Sequence, residues 1–168
     1  MTKKPVNAER LVETLGELQA LVFTINESKG FHDDRPKPMR IGSSVTAQKE
    51  RQAALANWQG NKLLLIVSEV AEAQDEIRNG RAADETYYPE PALPNSLVAE
   101  VGVEKARELI KADHEGKLRK PEGVPSEIAD VVIRCFDFAA TEGFDLGQII
   151  AEKLAYNSTR PFMHGKKF

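Results

Sequence analysis

The sequence predicts an all-α protein. Apolar residues recur at alternating spacings of three and four along several segments, which is the period of an amphipathic helix. Glycine and proline signals separate these segments where helices commonly end, and no segment has the alternating apolar and polar pattern of a strand. We therefore expect a helical bundle.

The length and composition of the chain fit one domain. It has 168 residues, of which 41% are hydrophobic and 29% are charged, so it has enough apolar material for one core. We expect a single domain over residues 1–168. The longest purely apolar run, 63–67, is too short to cross a bilayer, and the N-terminus turns polar before a signal peptide could form. We expect a soluble, cytoplasmic protein without a membrane partner.

The first helix is expected over residues 8–29, because an apolar stripe runs along that segment and Gly30 supplies a stop signal. The stripe consists of Leu11, Leu15, Leu18, Val22 and Ile25. Residues 31–45 contain prolines and a glycine, which predict irregular chain.

A second helix is expected over residues 46–79. Gly60 and Asn61 predict a break or kink within it, and Gly80 supplies a C-terminal stop signal. Residues 81–95 contain several prolines and predict a loop.

The second half of the chain predicts three more helices. One is expected over 97–116 and another over 125–143, with a basic, proline-containing link between them. Asp145 and Gln148 resemble a capping box that opens a last helix over about 145–156.

Two acidic motifs stand in apolar helical surroundings. Glu69 and Glu72 form one, Glu127 and Asp130 form the other, and each pair lies one helical turn apart. Two carboxylates about 4 Å apart repel by about 4 kcal/mol at an effective dielectric of about 20, so four that converge need a compensating cation. Carboxylate oxygens are the ligands of hard divalent ions. We predict that these four residues bind Mg²⁺, with Mn²⁺ as a substitute.

The second motif also has a structural interpretation. The first motif borders the apolar sector of its helix, whose solvated face is already occupied by other polar residues. The second motif lies on a polar stripe that continues to Arg134 and Asp137, and such a stripe could equally be the exposed edge of a buried helix. The sequence leaves both interpretations of that stripe open.

Other metals and covalent catalysis fit the sequence poorly. The histidines are scattered, and no cysteine pair exists for structural zinc. Cys135 has apolar flanks and no patterned histidine, so we expect it in the core and not as a nucleophile.

The order and spacing of the motifs resemble the MazG-like, all-α nucleoside triphosphate pyrophosphohydrolases, whose signature is Glu-Glu-x-x-Glu followed by Glu-x-x-Asp. The C-terminal segment 153–167 also resembles the ending of many members. The resemblance implies the all-α NTP pyrophosphatase fold, a homodimer or homotetramer, and Mg²⁺-dependent hydrolysis of a (deoxy)nucleoside triphosphate to the monophosphate and pyrophosphate. We expect a purine triphosphate as the substrate.

The resemblance also implies roles for individual residues. Four carboxylates would ligate Mg²⁺ and carry catalysis, and three residues near the C-terminus would approach the phosphates or sugar. The first set is Glu69, Glu72, Glu127 and Asp130, and the second is Lys153, Asn157 and Arg160.

The chain departs from the family pattern at two places. Ser68 stands where the signature has its first glutamate, and an insertion over about 81–125 lengthens the gap between the motifs. An alternative function is therefore a non-catalytic helical module that binds a nucleotide or a protein and retains a remnant metal site.

Two further features have alternative interpretations. Trp58 could stack on a nucleobase or lie in the core or an interface. The basic tail over about 157–168 could face phosphates or be a solvated terminus. The net charge of −3 argues against stable nucleic-acid binding.

Overall fold

The structure is a computed structural model, and it describes residues 7–161. These residues form six helices and no strand. The helices are α1 (Ala8–Ser28), α2 (Val45–Arg78), α3 (Asn95–Val101), α4 (Val103–His114), α5 (Val124–Glu142) and α6 (Leu146–Ser158). The all-α prediction is confirmed for this part of the chain. No helix within it combines the length and apolarity that a membrane span requires.

Most helix boundaries agree with the sequence prediction, but two details differ. Of the break or kink expected at Gly60, the break is absent, because α2 continues through this residue without interruption. The single helix expected over 97–116 is two helices, α3 and α4. Gly102 separates them with φ of 80° and ψ of 161°, a conformation that interrupts the helical backbone and that L side chains rarely adopt.

The start of α6 is capped from two directions. Asp145 accepts a hydrogen bond of 2.9 Å from the Gln148 backbone, as the capping-box pattern predicts. The Gln148 side chain does not complete the box, since it donates to Glu152 instead. Gln19 on α1 accepts from the Leu146 backbone at 3.1 Å, which ties α1 to α6.

The chain divides into two compact units. The first comprises Met1–Ser68 and Asp130–Phe168, and the second comprises Glu69–Ala129. In the first unit α1 packs against α6. The buried apolar side chains of that unit are Val22, Trp58, Phe136 and Ala139.

The loop between α1 and α2 is held within the first unit by long-range polar contacts. Arg35 donates to Glu142 at 3.1 Å, and Gln59 donates to the other oxygen of the same carboxylate. Lys62 donates to the backbone carbonyl of Phe31 at 2.8 Å. These contacts fix a segment for which the sequence predicted only irregular chain.

The second unit contains the whole of the predicted insertion, 81–125. Tyr87 and Glu122 form an isolated antiparallel bridge, in which the backbone N–H of each donates to the carbonyl of the other. Glu122 lies just before α5. The Tyr87 hydroxyl also donates to Glu76 on α2 at 3.2 Å. These contacts attach the loop after α2 to the turn that begins α5.

Candidate metal centre

Glu69 on α2 and Glu127 on α5 form a buried acidic pair in the second unit. Each residue is only 5% exposed, and one carboxylate oxygen of each lies within 4.8 Å of the other. Both helices present a carboxylate beside a buried apolar residue, Ala73 on α2 and Val124 on α5. Burial of two acidic groups is costly unless a proton or a cation compensates them.

Asp130 extends the acidic pair by one turn of α5. It is partly buried, and it offers a carboxylate oxygen within 4.8 Å of one from Glu127. The polar stripe on α5 is therefore not simply a solvent-exposed edge, since Glu127 is buried. We call Glu69, Glu127 and Asp130 the acidic triad.

Glu72, the fourth expected ligand, lies outside the acidic triad. Its side chain is exposed, although it follows Glu69 by one turn of the same helix. Its charge nevertheless acts on the triad, because it helps to raise the pKa of Glu127. Ser68, the residue before Glu69, donates to the Leu65 carbonyl at 2.8 Å and so has a local structural role.

The pKa of Glu127 is raised above its ordinary value. Burial is the largest cause, followed by the negative charge of Glu72 and by a hydrogen bond and charge interaction with Glu69. Lys120 acts in the opposite direction but does not reverse the shift. Burial and nearby negative charge therefore both favour the protonated form of Glu127.

A hard divalent cation fits this donor set. Three carboxylates supply only oxygen ligands, which Mg²⁺ and Mn²⁺ prefer. The negative charges of Glu72 and Glu69 both disfavour the Glu127 carboxylate, and a cation beside it would reduce that repulsion. Among the described residues, no cysteine or histidine belongs to this group, so the softer donors that structural zinc sites use are missing.

The raised pKa of Glu127 predicts a pH-dependent response to metal. The Glu127 carboxyl binds its proton more tightly in the folded protein than in the unfolded chain, where its pKa is near 4.5. The stability of the metal-free protein therefore falls as the pH rises through the pKa of the folded state. A divalent ion needs the deprotonated carboxylate, so millimolar Mn²⁺ should raise the melting temperature more at about pH 8 than at about pH 5. Glu127→Gln should abolish this pH difference. An equal Mn²⁺ effect in both proteins would contradict the assignment.

A cavity of about 600 Å³ lies within the first unit, and Asp130 is one of its walls. Its other walls combine apolar and aromatic side chains with a few polar ones, which is typical of small-molecule pockets. They are Val22, Ile25, Asn26, Phe31, Trp58, Lys62, Leu65, Ile133, Arg134, Asp137 and Phe138. Asp130 is the only member of the acidic triad that lines this cavity.

Trp58 has its orientation fixed at this cavity. Its indole nitrogen donates to Asp34 at 2.9 Å, and the ammonium of Lys62 lies 5.0 Å from its ring centroid. The hydrogen bond from Trp58, together with the positive charge of Lys62, lowers the pKa of Asp34. The 6% exposure of Trp58 supports a core role, and its place in the cavity wall supports a ligand-binding role.

The three C-terminal residues expected to bind substrate do not line this cavity. Lys153 and Asn157 are exposed on α6, and Arg160 is exposed just beyond it. Their role stays a prediction. The rest of the basic tail, including His164, lies outside the described residues.

The sequence interpretation missed the pairing of His32 with Asp137. His32 Nε2 lies 2.9 Å from Asp137 Oδ1, although 105 residues separate them. The two side chains are only 12% and 14% exposed. No local periodicity links a loop histidine to a distant helix, so the sequence offered no signal for this contact.

No protein-family model, curated protein or solved structure matches this chain. A functional assignment therefore depends on the residues of the chain and on the geometry of the acidic triad and the cavity.

Proposed function

We propose that this protein is a Mg²⁺-dependent nucleoside triphosphate pyrophosphohydrolase. The observation that carries the proposal is the acidic triad, of which Asp130 also forms part of a cavity wall. A triphosphate has both parts that such a site needs, a chain of anionic oxygens for the cation and an aromatic base for an apolar pocket. The motif resemblance to the MazG-like enzymes supports the same reaction.

In the proposed reaction, water adds across the anhydride between the α and β phosphorus atoms. That P–O bond breaks, and the products are a nucleoside monophosphate and pyrophosphate. Glu69, Glu127 and Asp130 would hold the Mg²⁺. When bound, the ion supplies positive charge that draws phosphate oxygens together and lowers the pKa of a coordinated water. The apolar cavity walls would exclude bulk water from the base.

The proposal is tested by offering purified protein each common ribo- and deoxyribonucleoside triphosphate with Mg²⁺ or Mn²⁺. We expect stoichiometric monophosphate and pyrophosphate from at least one of them, and no product in EDTA. A folded sample that hydrolyses none of them would overturn the proposal. Release of orthophosphate without pyrophosphate would point to a different phosphoanhydride hydrolase.

A non-catalytic nucleotide-binding module is the second candidate function. The hydrogen bond between Glu69 and Glu127 favours this candidate, because it requires a proton on one of the two carboxyls. A pair that shares a proton does not need a metal ion to compensate its charge. A module of this kind would bind nucleotide with the same affinity with and without Mg²⁺ and would form no product. Calorimetric titration in Mg²⁺ and in EDTA, with product analysis of the same samples, distinguishes the two.

We also propose that the chain forms a homodimer or homotetramer. Along α2, the apolar side chains of Leu64, Val67 and Val70 recur every three residues and are at least half exposed. A helix surface of this kind is commonly covered by a second copy in helical oligomers. A monomeric mass in light scattering at micromolar concentration would contradict this.

A further inference from the structure

The cavity contains a second carboxylate that the proposed metal site does not use. Asp137 lies two helical turns after Asp130 on α5, lines the same cavity and is not part of the acidic triad. Most of the cavity walls are apolar, although Lys62 and Arg134 also line it, and the Asp137 side chain is 14% exposed. A carboxylate in such surroundings is costly unless hydrogen-bond donors satisfy its oxygens.

One oxygen of Asp137 is held in a fixed direction. His32 Nε2 donates to Oδ1 at 2.9 Å, and the imidazole stacks on Phe23 with ring centroids 5.0 Å apart. Thr141 lies 3.3 Å from the same imidazole nitrogen and donates to the Asp137 backbone carbonyl at 2.8 Å. Among the described residues, none donates a hydrogen bond to the second oxygen, Oδ2.

Asn26 adds a second unsatisfied polar group to the cavity wall. Within residues 7–161 its side-chain amide has no hydrogen-bond partner, and it lines the cavity with Asp137. A carboxylate oxygen accepts hydrogen bonds only, whereas an amide both donates and accepts. The cavity therefore offers a ligand a carboxylate acceptor on Asp137 and an adaptable amide on Asn26. The side chains of Lys62, Arg134 and Asp130 also line it.

We infer that Asp137 selects a nucleobase with adjacent N–H donors, as guanine has, and rejects uracil and thymine. Guanine presents N1–H and the 2-amino group side by side. Oδ2 of Asp137 can accept one of them, and the second lone pair of Oδ1, which also accepts from His32, can accept the other. The guanine O6 can accept from Asn26. Uracil and thymine present one N–H between two carbonyls, so a carboxylate beside it meets repulsive oxygens. Adenine offers a single amino group beside an acceptor nitrogen. For a triphosphate substrate the inference rests on the proposed function.

The test measures binding without hydrolysis. GMP, IMP and UMP are titrated calorimetrically in EDTA, and fluorescence of Trp58, the only tryptophan, reports whether the cavity is occupied. IMP lacks only the 2-amino group, so we expect GMP to bind about 10- to 100-fold more tightly than IMP. UMP should bind at least about 100-fold more weakly than GMP.

Two variants and one control locate the effect. Asp137→Asn should reduce the preference for GMP over IMP to less than about threefold, because an amide cannot accept both N–H groups. Asn26→Ala removes a side chain without protein partners, so it should keep the fold and weaken GMP binding about tenfold. Asp145→Asn is the control, since asparagine caps a helix as well as aspartate and the residue lies outside the cavity.

The base preference and the proposed hydrolysis can fail independently. Equal affinities for the three monophosphates, or a preference that Asp137→Asn leaves intact in a folded protein, would overturn the inference even if triphosphates are hydrolysed. A GMP preference that disappears in Asp137→Asn would support it even if no triphosphate is hydrolysed. Should Asp137→Asn fail to fold, Asn26→Ala decides, and unchanged GMP affinity in that variant would count against the inference.

Discussion

Glu127→Gln should abolish metal-dependent hydrolysis and leave the metal-free protein at least as stable as the unsubstituted chain. Glu127 is 5% exposed, and its pKa is raised by burial and by the charges of Glu72 and Glu69. Glutamine has the shape of the protonated acid and does not ionise, so the variant avoids the cost that the carboxylate incurs at neutral pH. The same change removes one of the three carboxylates that we propose as metal ligands.

The expected losses are large and specific. Changes to groups that merely orient metal ligands cost about 10- to 100-fold in activity, so loss of a ligand should cost at least about 100-fold. The increase in melting temperature that Mn²⁺ causes should also disappear, because that increase depends on binding to the folded state. Steady-state kinetics with thermal melts in Mn²⁺ and in EDTA measure both effects.

The matched control is Glu100→Gln, which changes an exposed carboxylate on α3 that lies outside the triad. It should leave activity and the Mn²⁺ effect unchanged. A large fall in the metal-free melting temperature of Glu127→Gln alone would mean that Glu127 is a structural group. Retained activity in that variant would rule out the proposed metal centre.

Gly123→Ala should destabilise the protein more than any other single glycine-to-alanine change in the second unit. Gly123 has φ of 103°, a region that L side chains rarely adopt. A Cβ atom there would also collide with the carbonyl oxygen of Glu85 and lie 3.4 Å from the Tyr87 ring. The Glu85 backbone cannot move aside as a flexible side chain can. The cost of this collision therefore adds to the cost of the positive φ at residue 123.

We expect a loss of about 3 kcal/mol or more in the free energy of unfolding, measured by urea denaturation. Gly116→Ala is a close control, because Gly116 also has positive φ, 74°, but nothing lies within 4 Å of its added Cβ. That variant should lose only about 1 to 2 kcal/mol. Equal losses in the two variants would show that the contact with Glu85 does not matter.

The consequence of Gly123→Ala should extend to the acidic triad. The Gly123 carbonyl accepts from the Glu127 backbone at 3.2 Å, in the first turn of α5. A shifted turn would move the Glu127 carboxylate relative to Glu69, so Mn²⁺ should bind more weakly even where the variant stays folded. This result would link the loop that contains Glu85 to the acidic triad.

Much of the fold could be predicted from local signals. The period of apolar residues, the glycine stop signals and the Asp145 cap together predicted most helix boundaries, because these effects depend on residues within a turn or two of each other. The division at Gly102 was missed, since a glycine inside an apolar period is often tolerated.

The sequence by itself determined that the chain is helical and that Glu69 and Glu72 share one face of α2, as Glu127 and Asp130 do on α5, because helical pitch fixes these relations. Only the tertiary structure decided that Glu69 is buried while Glu72 is exposed, and that His32 meets Asp137. The physical reason is that pitch orders side chains around one helix, whereas burial and long-range pairing depend on which other segments pack against it.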